Sequence, residues 1–238
     1  MSQTIMRADL TRKLLDLSLQ SGRLYQSKKT GFVHDSPEII SIFSNFLFAL
    51  ALLRQKTQEC VLEAKQLLDR LLFFQQMDEM RPSFGNFPVF LHDYPYCRDH
   101  YVAARLLAPL YWIQKEFSHV LGQELGQRLT QATVRLQAFL KQLSERSQLP
   151  SWVTLRLFPD SVVPIDFSAQ TPEILSQLIT SCCMRPQNKL EDGLKEYLQT
   201  VWLSQSALFI GPKMQPQLHY LPQVTLFDYY LSYLAGTY

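Results

Sequence analysis

Ser36-Pro37-Glu38-Ile39-Ile40-Ser41-Ile42-Phe43-Ser44-Asn45-Phe46-Leu47-Phe48-Ala49-Leu50-Ala51-Leu52-Leu53 is the stretch on which the fold turns. Ser36 is placed to cap the first orphan N–H groups of a helix, and Pro37 suits the first helical position. Behind them, the isoleucines, phenylalanines and leucines from Ile39 to Leu53 cover nearly every side of a helix. A helix that is apolar all round is buried on most sides. The next segment, Gln58 to Met77, is different. Val61, Ala64, Leu67, Leu68, Leu71 and Phe74 share one face, and Glu59, Glu63, Lys65, Gln66, Asp69 and Arg70 take the other. That is a surface helix with one packed side.

The same alternation extends in both directions. Ile5 to Gln20 carries Leu10, Leu14, Leu17 and Leu19 beside Arg12, Lys13 and Asp16, a helical stripe with a polar side. Ser21-Gly22 then reads as its stop and Lys28-Lys29-Thr30-Gly31 as a loop. From about Tyr96 to Lys115 the chain is again broadly apolar, and Pro109 should kink the helix because it removes a backbone donor. Ser118 to Ser147 is amphipathic along Leu121, Leu125, Leu129, Ala132, Leu136, Phe139, Leu140 and Leu143, and Pro150 ends it. The stretch from Trp152 to Phe167 holds Pro159 and Pro164, with room for a short strand at Val153–Leu157. Thr171-Pro172-Glu173 repeats the earlier start signal and opens a helix running to Cys183. Lys189 to Ser204 is amphipathic. A Pro-containing stretch from Ile210 to Pro222 precedes a last helix at about Leu226 to Leu234.

The chain has 238 residues, 47% of them hydrophobic and 18% charged, which is enough apolar surface for a sizeable core. The expectation is a single helical domain over 1–238, either whole or one domain of a longer protein. Only 8 residues are glycine and leucine is abundant, which favours helices over sheets. The 23 basic and 21 acidic residues leave a net charge of +2. Such a balance exerts no long-range pull on nucleic acid or anionic lipid, and no basic stripe is present, so no nucleic-acid partner is expected. Cys60, Cys97, Cys182 and Cys183 follow neither a disulfide framework nor a CxxC zinc spacing. Reduced thiols in the cytoplasm, with no cofactor and no metal, are the expectation. Charged residues from Arg7 to Asp16 interrupt any signal-peptide core, although a signal read by specialised secretion machinery would not show in this way. The longest apolar stretch, Phe46 to Leu53, is too short to span a bilayer. The absence of a GxSxG elbow, a P-loop and a GxGxxG run argues against a common hydrolase, NTPase or dinucleotide enzyme.

An internal pattern accompanies the alternation. His34-Asp35-Ser36-Pro37 and His92-Asp93-Tyr94-Pro95 are both HDxP, and each precedes a segment that is apolar all round. Ser36 to Ser41 also matches Thr171-Pro172-Glu173-Ile174-Leu175-Ser176, and Leu221-Pro222-Gln223 is a fourth candidate start. These starts lie 58, 77 and 50 residues apart, which is no strict solenoid period. With the Ser83-Phe84-Gly85-Asn86-Phe87-Pro88 loop, the alternation resembles α/α toroids, the barrels of helical hairpins found in many glycoside hydrolases, polysaccharide lyases and isoprenoid cyclases. The resemblance implies an all-α fold with inner and outer helices, an incomplete toroid or helical array of about four hairpins. No catalytic motif of any one of these families is present, so the likeness assigns no activity.

In toroids the loops leading into the inner helices line a cleft, which points to His92-Asp93-Tyr94-Pro95-Tyr96-Cys97-Arg98-Asp99-His100-Tyr101. His92, Tyr94, Tyr96, Arg98 and Tyr101 could hold a sugar by stacking and hydrogen bonding. Asp93 or Asp99 would act as acid or base, and His100 with Tyr96 or Tyr101 would serve a lyase-type proton abstraction. His34 and Asp35 mirror His92 and Asp93, so Asp35 and Asp93 would pair if the two loops meet. Trp152 would complete the substrate-binding set, in a stretch that also carries Arg156, Asp160 and Asp166. The structural alternative is that Asp35 and Asp93 cap helices, Asp99 sits in a first turn where negative charge is favoured, and the tyrosines pack. As metal ligands, His92, Asp93, Cys97, Asp99 and His100 lack the HExxH spacing. Cys182 and Cys183 read as small hydrophobes.

No cluster fixes a chemistry by itself, and two functions stay open, with catalysis undecided. One is a glycan-binding or carbohydrate-active domain, similar to a glycosidase or polysaccharide lyase, with its cleft at the inner-helix loops. The other is a non-catalytic helical scaffold that binds a protein partner through a C-terminal tyrosine-rich patch, His219-Tyr220, Asp228-Tyr229-Tyr230 and Tyr233.

Overall fold

Ser41, rather than Ser36, starts the buried helix α2 (Ile42–Gln55). Its Oγ accepts from the Ser44 N–H at 3.2 Å, and the Asp35 carboxylate accepts from the Ser41 N–H (3.1 Å) and the Ser44 hydroxyl (3.0 Å). The residues just ahead are held extended. Leu91 N–H donates to Ile40 O (2.9 Å) and Ile42 N–H to Val89 O (3.0 Å), around a bridge between Ser41 and Phe90. The structure, a computed structural model, describes residues 2–35, 38–158, 164–184, 190–203 and 208–209. Ser36, Pro37, Asp160, the stretch from Ile210 to Pro222, the last expected helix and the C-terminal tyrosine patch lie outside these.

The fold is all-α and divides into two compact units, Gly22–Leu149 and Met1–Ser21 with Pro150–Tyr238. In Gly22–Leu149, every residue from Ile42 to Arg54 of α2 is buried. The chain turns at Lys56 (φ 61°), whose N–H donates to Leu53 O, and Thr57 caps α3 (Gln58–Leu72) by accepting from the Cys60 N–H. α3 buries only Ala64, Leu67, Leu68, Leu71 and Leu72. α4 (Tyr101–Leu121) is enclosed on most sides, and α5 (Gln123–Ser144) buries one stripe from Leu125 to Leu140. α2 packs on α3 and α4, α4 on α5, and α3 on α5. Helices apolar all round are thus the enclosed ones, as the hydrophobic effect requires. Each fully buried side chain such as Phe46, Phe48 or Leu106 contributes about 1.5–3 kcal/mol. Arg54 ties α2 to α4 through two hydrogen bonds to Glu116, from Nε at 3.0 Å and Nη2 at 3.1 Å, with its guanidinium 5.8 Å from the Trp112 ring. Truncating Glu116 would strand a buried guanidinium, at about 3–5 kcal/mol for such a pair.

In the other unit, α1 (Ser2–Tyr25) belongs as far as Ser21 and buries Leu14, Leu15 and Ser18. α6 (Ser151–Leu157) packs on α7 (Pro172–Met184), and α7 on α8 (Leu190–Val201). Arg156 of α6 donates to the Gln177 carbonyl and side chain of α7, both at 3.0 Å. Trp202–Leu203 and Leu208–Phe209 form a two-residue antiparallel pair. Among the described residues no helix is long and apolar enough to cross a membrane.

Several local expectations are corrected. α1 does not stop at Ser21-Gly22 but continues to Tyr25, because a Cβ at Gly22 would sit 2.6 Å from the Phe48 ring: the glycine admits a neighbour rather than ending the helix. Val153–Leu157 is helical, not a strand. The Pro150 carbonyl accepts from Val153 and Thr154 at 2.9 Å each and closes the first turn, and Trp152, Val153 and Leu155 are the buried positions. α4 begins at Tyr101 rather than near Tyr96, and the break before α5 falls at Gly122 (φ 81°), four residues beyond Ser118.

Candidate functional site

Gln75, Gln76 and Asn86 are buried polar residues on the segment between α3 and α4, and all three use their amides on main chain. Gln75 Nε2 donates to Gly85 O (2.8 Å) and to Ala132 O of α5 (3.0 Å). Gln76 Nε2 donates to Pro95 O at 2.6 Å, and its Oε1 accepts from the Asp78 N–H at 2.8 Å. Asn86 Nδ2 donates to Asp99 O (2.7 Å) and Cys97 O (3.3 Å). Buried amide N–H groups committed to main chain in this way fix the backbone they hold, because an unmade bond there costs the full desolvation of the group; Asn86 Oδ1, also buried, makes no hydrogen bond among the described residues. Residues 73–81 and 90–98 are consequently pinned side by side. Tyr94 meets Phe73 and Phe74 at ring distances of 6.0 and 5.7 Å, and the Arg81 guanidinium lies 5.4 Å from the Tyr96 ring.

The structure places the expected site residues as follows. A bridge joins Ser41 to Phe90, residues that flank the two HDxP motifs, and among the described residues Asp35 and Asp93 make no hydrogen bond or ion pair in common. Asp35 is committed to the start of α2, as above, and His34 Nε2 lies 3.2 Å from Thr30 Oγ1. His92 is exposed, stacks on Phe90 at 5.7 Å, and its Nε2 is 3.5 Å from Asp93. Asp93 ends a 3₁₀ turn (Leu91–Asp93) and does not cap α4. Asp99 performs that role: its Oδ1 accepts from the Tyr101 and Val102 N–H groups at 2.8 Å each. His100 meets Phe139 edge-on at 6.0 Å, and Tyr101 is the first residue of α4. Tyr94 is half-buried among phenylalanines, whereas Tyr96 is 59% exposed, with Arg98 5.6 Å from its ring. Trp152 is buried in α6 and belongs to the other unit.

Among the described residues, eleven large hydrophobic side chains are exposed: four of them, Phe73, Met77, Met80 and Tyr96, fall on this one segment, and a fifth, Tyr101, opens α4 directly after it. Met80 reaches 92% and Phe73 69%. Phe73, Met77, Met80, Arg81 and the buried amides Gln75, Gln76 and Asn86 were not among the expected site residues, whereas Tyr96 and Tyr101 were. The Gly85-Asn86 turn was the available signal, but nothing in a sequence says that an asparagine will be fully enclosed.

Cys97 is enclosed between the two exposed side chains Tyr96 and Arg98. Burial pushes its thiol up to about 12, with Asp93 adding to the rise and Arg81 opposing it. It is a packing group, not a nucleophile. Among the described residues no three His, Cys, Asp or Glu side chains converge as metal ligands do. The arrangement offers a rigid exposed rim of aromatic, methionine and arginine side chains, with Asp35 and Asp99 committed to helix starts. No family model, curated protein or solved structure matches the chain.

Proposed function

We propose that Gly22–Leu149 is a non-catalytic helical scaffold that binds a protein partner through residues 73–81 and 90–101. The observation that carries this reading is the gathering of Phe73, Met77, Met80, Tyr96 and Tyr101 on a segment locked by buried amides. Aromatic residues, methionine and arginine are enriched at interface centres, and a surface already rigid loses little entropy on binding. The reading moves the contact from the C-terminal tyrosines to this rim. A cytoplasmic setting suits it, since the described cysteines are all free thiols. Selection of binders from a random peptide display library tests it. Selected peptides should lose binding to the Phe73→Ser/Met80→Ser/Tyr96→Ala variant, whose helical circular dichroism should match the parent. Binders indifferent to those substitutions would refute the surface.

A second reading keeps the glycan. It takes α2 and α4 as inner and α3 and α5 as outer helices of an incomplete toroid, with a cleft at the inner-helix loops. The exposed Tyr96 ring and the His92–Phe90 stack beside Asp93 favour it, because sugars bind against flat aromatic faces. A glycan array settles between the two: hits abolished by Tyr96→Ala and Asp93→Asn would favour this reading over the first.

A further inference from the structure

We infer that the tip of the hairpin between α1 and α2 receives a phosphorylated side chain of a protein partner, held by Arg70, Lys28 and Lys29. This is a second surface of Gly22–Leu149, independent of the apolar rim above. The hairpin is closed by a bridge between Gln26 and Val33, with the Ser27 N–H donating to Phe32 O at 2.9 Å. It is fixed to α2 by the fully buried Asn45, which accepts from the Val33 N–H and donates to the Val33 carbonyl, both at 2.9 Å. Its tip is one tight turn. The Gly31 N–H donates to Ser27 O at 2.7 Å and the Thr30 N–H to Ser27 Oγ at 3.3 Å, with Lys28 and Lys29 exposed between them. Arg70 of α3 lies against this turn. Its guanidinium carbon is 4.2 Å from the centre of the buried Phe32 ring, and a methyl group at Gly31 would come within 3.1 Å of its Nη1. Gly31 has φ 72°, so a glycine here both makes the turn and leaves room for the guanidinium. An arginine stacked on a ring keeps its charge and its planar fork of donors, and loses less freedom on meeting a pair of oxygens.

The sign of the charge survives a full count. The hairpin holds no carboxylate from Leu24 to His34, and among the described residues none pairs with Lys28, Lys29 or Arg70. Glu63, which accepts from Gln26, is matched by Arg23, and Asp69 by Arg128. With every carboxylate of the hairpin and α3 at full charge, Asp35, Glu59, Glu63 and Asp69 are outnumbered by Arg23, Lys28, Lys29, Lys65 and Arg70, and Arg128 adds a further cation. Lys28-Lys29 and Arg70 come from separate elements, so no basic run marks the patch in the sequence. Three cations around one turn suit one concentrated dianion. A carboxylate would leave two of them unmatched, a nucleic acid would need a track of cations, and bilayer contact draws on clusters of about four to eight. A phosphorylated side chain brings nearly two charges and several acceptor oxygens, which suffice for the guanidinium fork and both ammonium groups.

Fluorescence anisotropy of the full chain with three dye-labelled degenerate peptide pools tests this: a central phosphoserine, a serine or a glutamate at the same position. The phosphoserine pool should bind roughly tenfold or more tightly than the serine pool and more tightly than the glutamate pool, and the preference should shrink as salt rises. Arg70→Gln should abolish the preference and Lys28→Ala/Lys29→Ala should weaken it, with unchanged circular dichroism in both. Arg70→Lys, which keeps the charge but not the fork, should retain only part of it. Phe73→Ser/Met80→Ser should leave it intact, and inorganic phosphate should compete only far above the peptide concentration. Equal binding of the phosphoserine and serine pools, no binding by any pool, or a preference that survives Arg70→Gln overturns the inference. So does a preference lost in Phe73→Ser/Met80→Ser, which would put the phosphate on the rim. Competition by inorganic phosphate mole for mole would make the turn a simple anion site. Binding to vesicles of phosphatidylserine and phosphatidylcholine with no phosphopeptide preference would make it a membrane contact. Either result overturns the peptide partner.

Discussion

At Gly85 the backbone runs at φ +84°, and a methyl group would lie 2.8 Å from the Arg135 carbonyl of α5. Neither the dihedral nor the backbone contact can relax cheaply. Gly85→Ala should therefore cost about 2–3 kcal/mol in urea unfolding. Gly126, in the interior of α5, has nothing within 4 Å of the same methyl position. Gly126→Ala should instead stabilise by about 0.5–1 kcal/mol through helix propensity alone. The reverse ordering of these two variants would contradict the loop geometry. Cys97 gives a second test at this scale. With its thiol raised to about 12 by burial, it carries almost no thiolate at pH 8. Iodoacetamide should leave Cys97 unmodified in the native chain at that pH and alkylate it once urea opens the core, as peptide mass mapping would report. Rapid native alkylation would show that the segment opens readily.

Between elements, Arg23 in the last turn of α1 makes a paired hydrogen bond to Glu63 of α3, and Gln26 adds a bond to the same carboxylate at 2.8 Å. Partial burial raises the Glu63 pKa, but the Arg23 and Gln26 hydrogen bonds outweigh it and hold the group below its ordinary value. A carboxyl lowered in the folded state stabilises the fold above its unfolded pKa, and that contribution is lost as pH falls through the folded one. Glu63→Gln should therefore lower the melting temperature near neutrality and flatten its decline between about pH 5 and pH 3. Parallel curves for the two proteins would show that the pair contributes nothing. Helices were the legible part of this chain. Enclosed α2 and α4 and one-sided α3 and α5 follow from apolar periodicity, which records burial directly. Boundaries were less legible because tertiary contacts set them. Val89–Leu91 pairs with the residues before Ile42 and postpones α2, and Phe48 turns Gly22 from an expected stop into a close contact. Val153 and Thr154, β-branched residues that suit a strand, were overruled by the Pro150 carbonyl.

Over the whole molecule, the expected site residues divide by unit: ten sit in Gly22–Leu149 and Trp152 in the other. The two HDxP motifs are alike in sequence, yet their acidic residues serve differently, Asp35 at the start of α2 and Asp93 at the end of a 3₁₀ turn beside His92. Sequence supplies the residue types of a site but not the hydrogen bonds that consume them. Nor does periodicity show that residues 1–21 pack with a segment that begins at Pro150. Pairings so distant in sequence form late, since loop closure must be met before they are rewarded. In pulse-labelled hydrogen exchange during refolding, amides of α2 should gain protection before those from Thr11 to Ser21. Simultaneous protection would refute that order. During synthesis the consequence is sharper. α1 is synthesised well before Pro150–Tyr238, the stretch with which its residues up to Ser21 form one compact unit. A nascent chain paused at Leu149 should therefore present the leucine stripe of α1 to chaperones while Gly22–Leu149 has already closed.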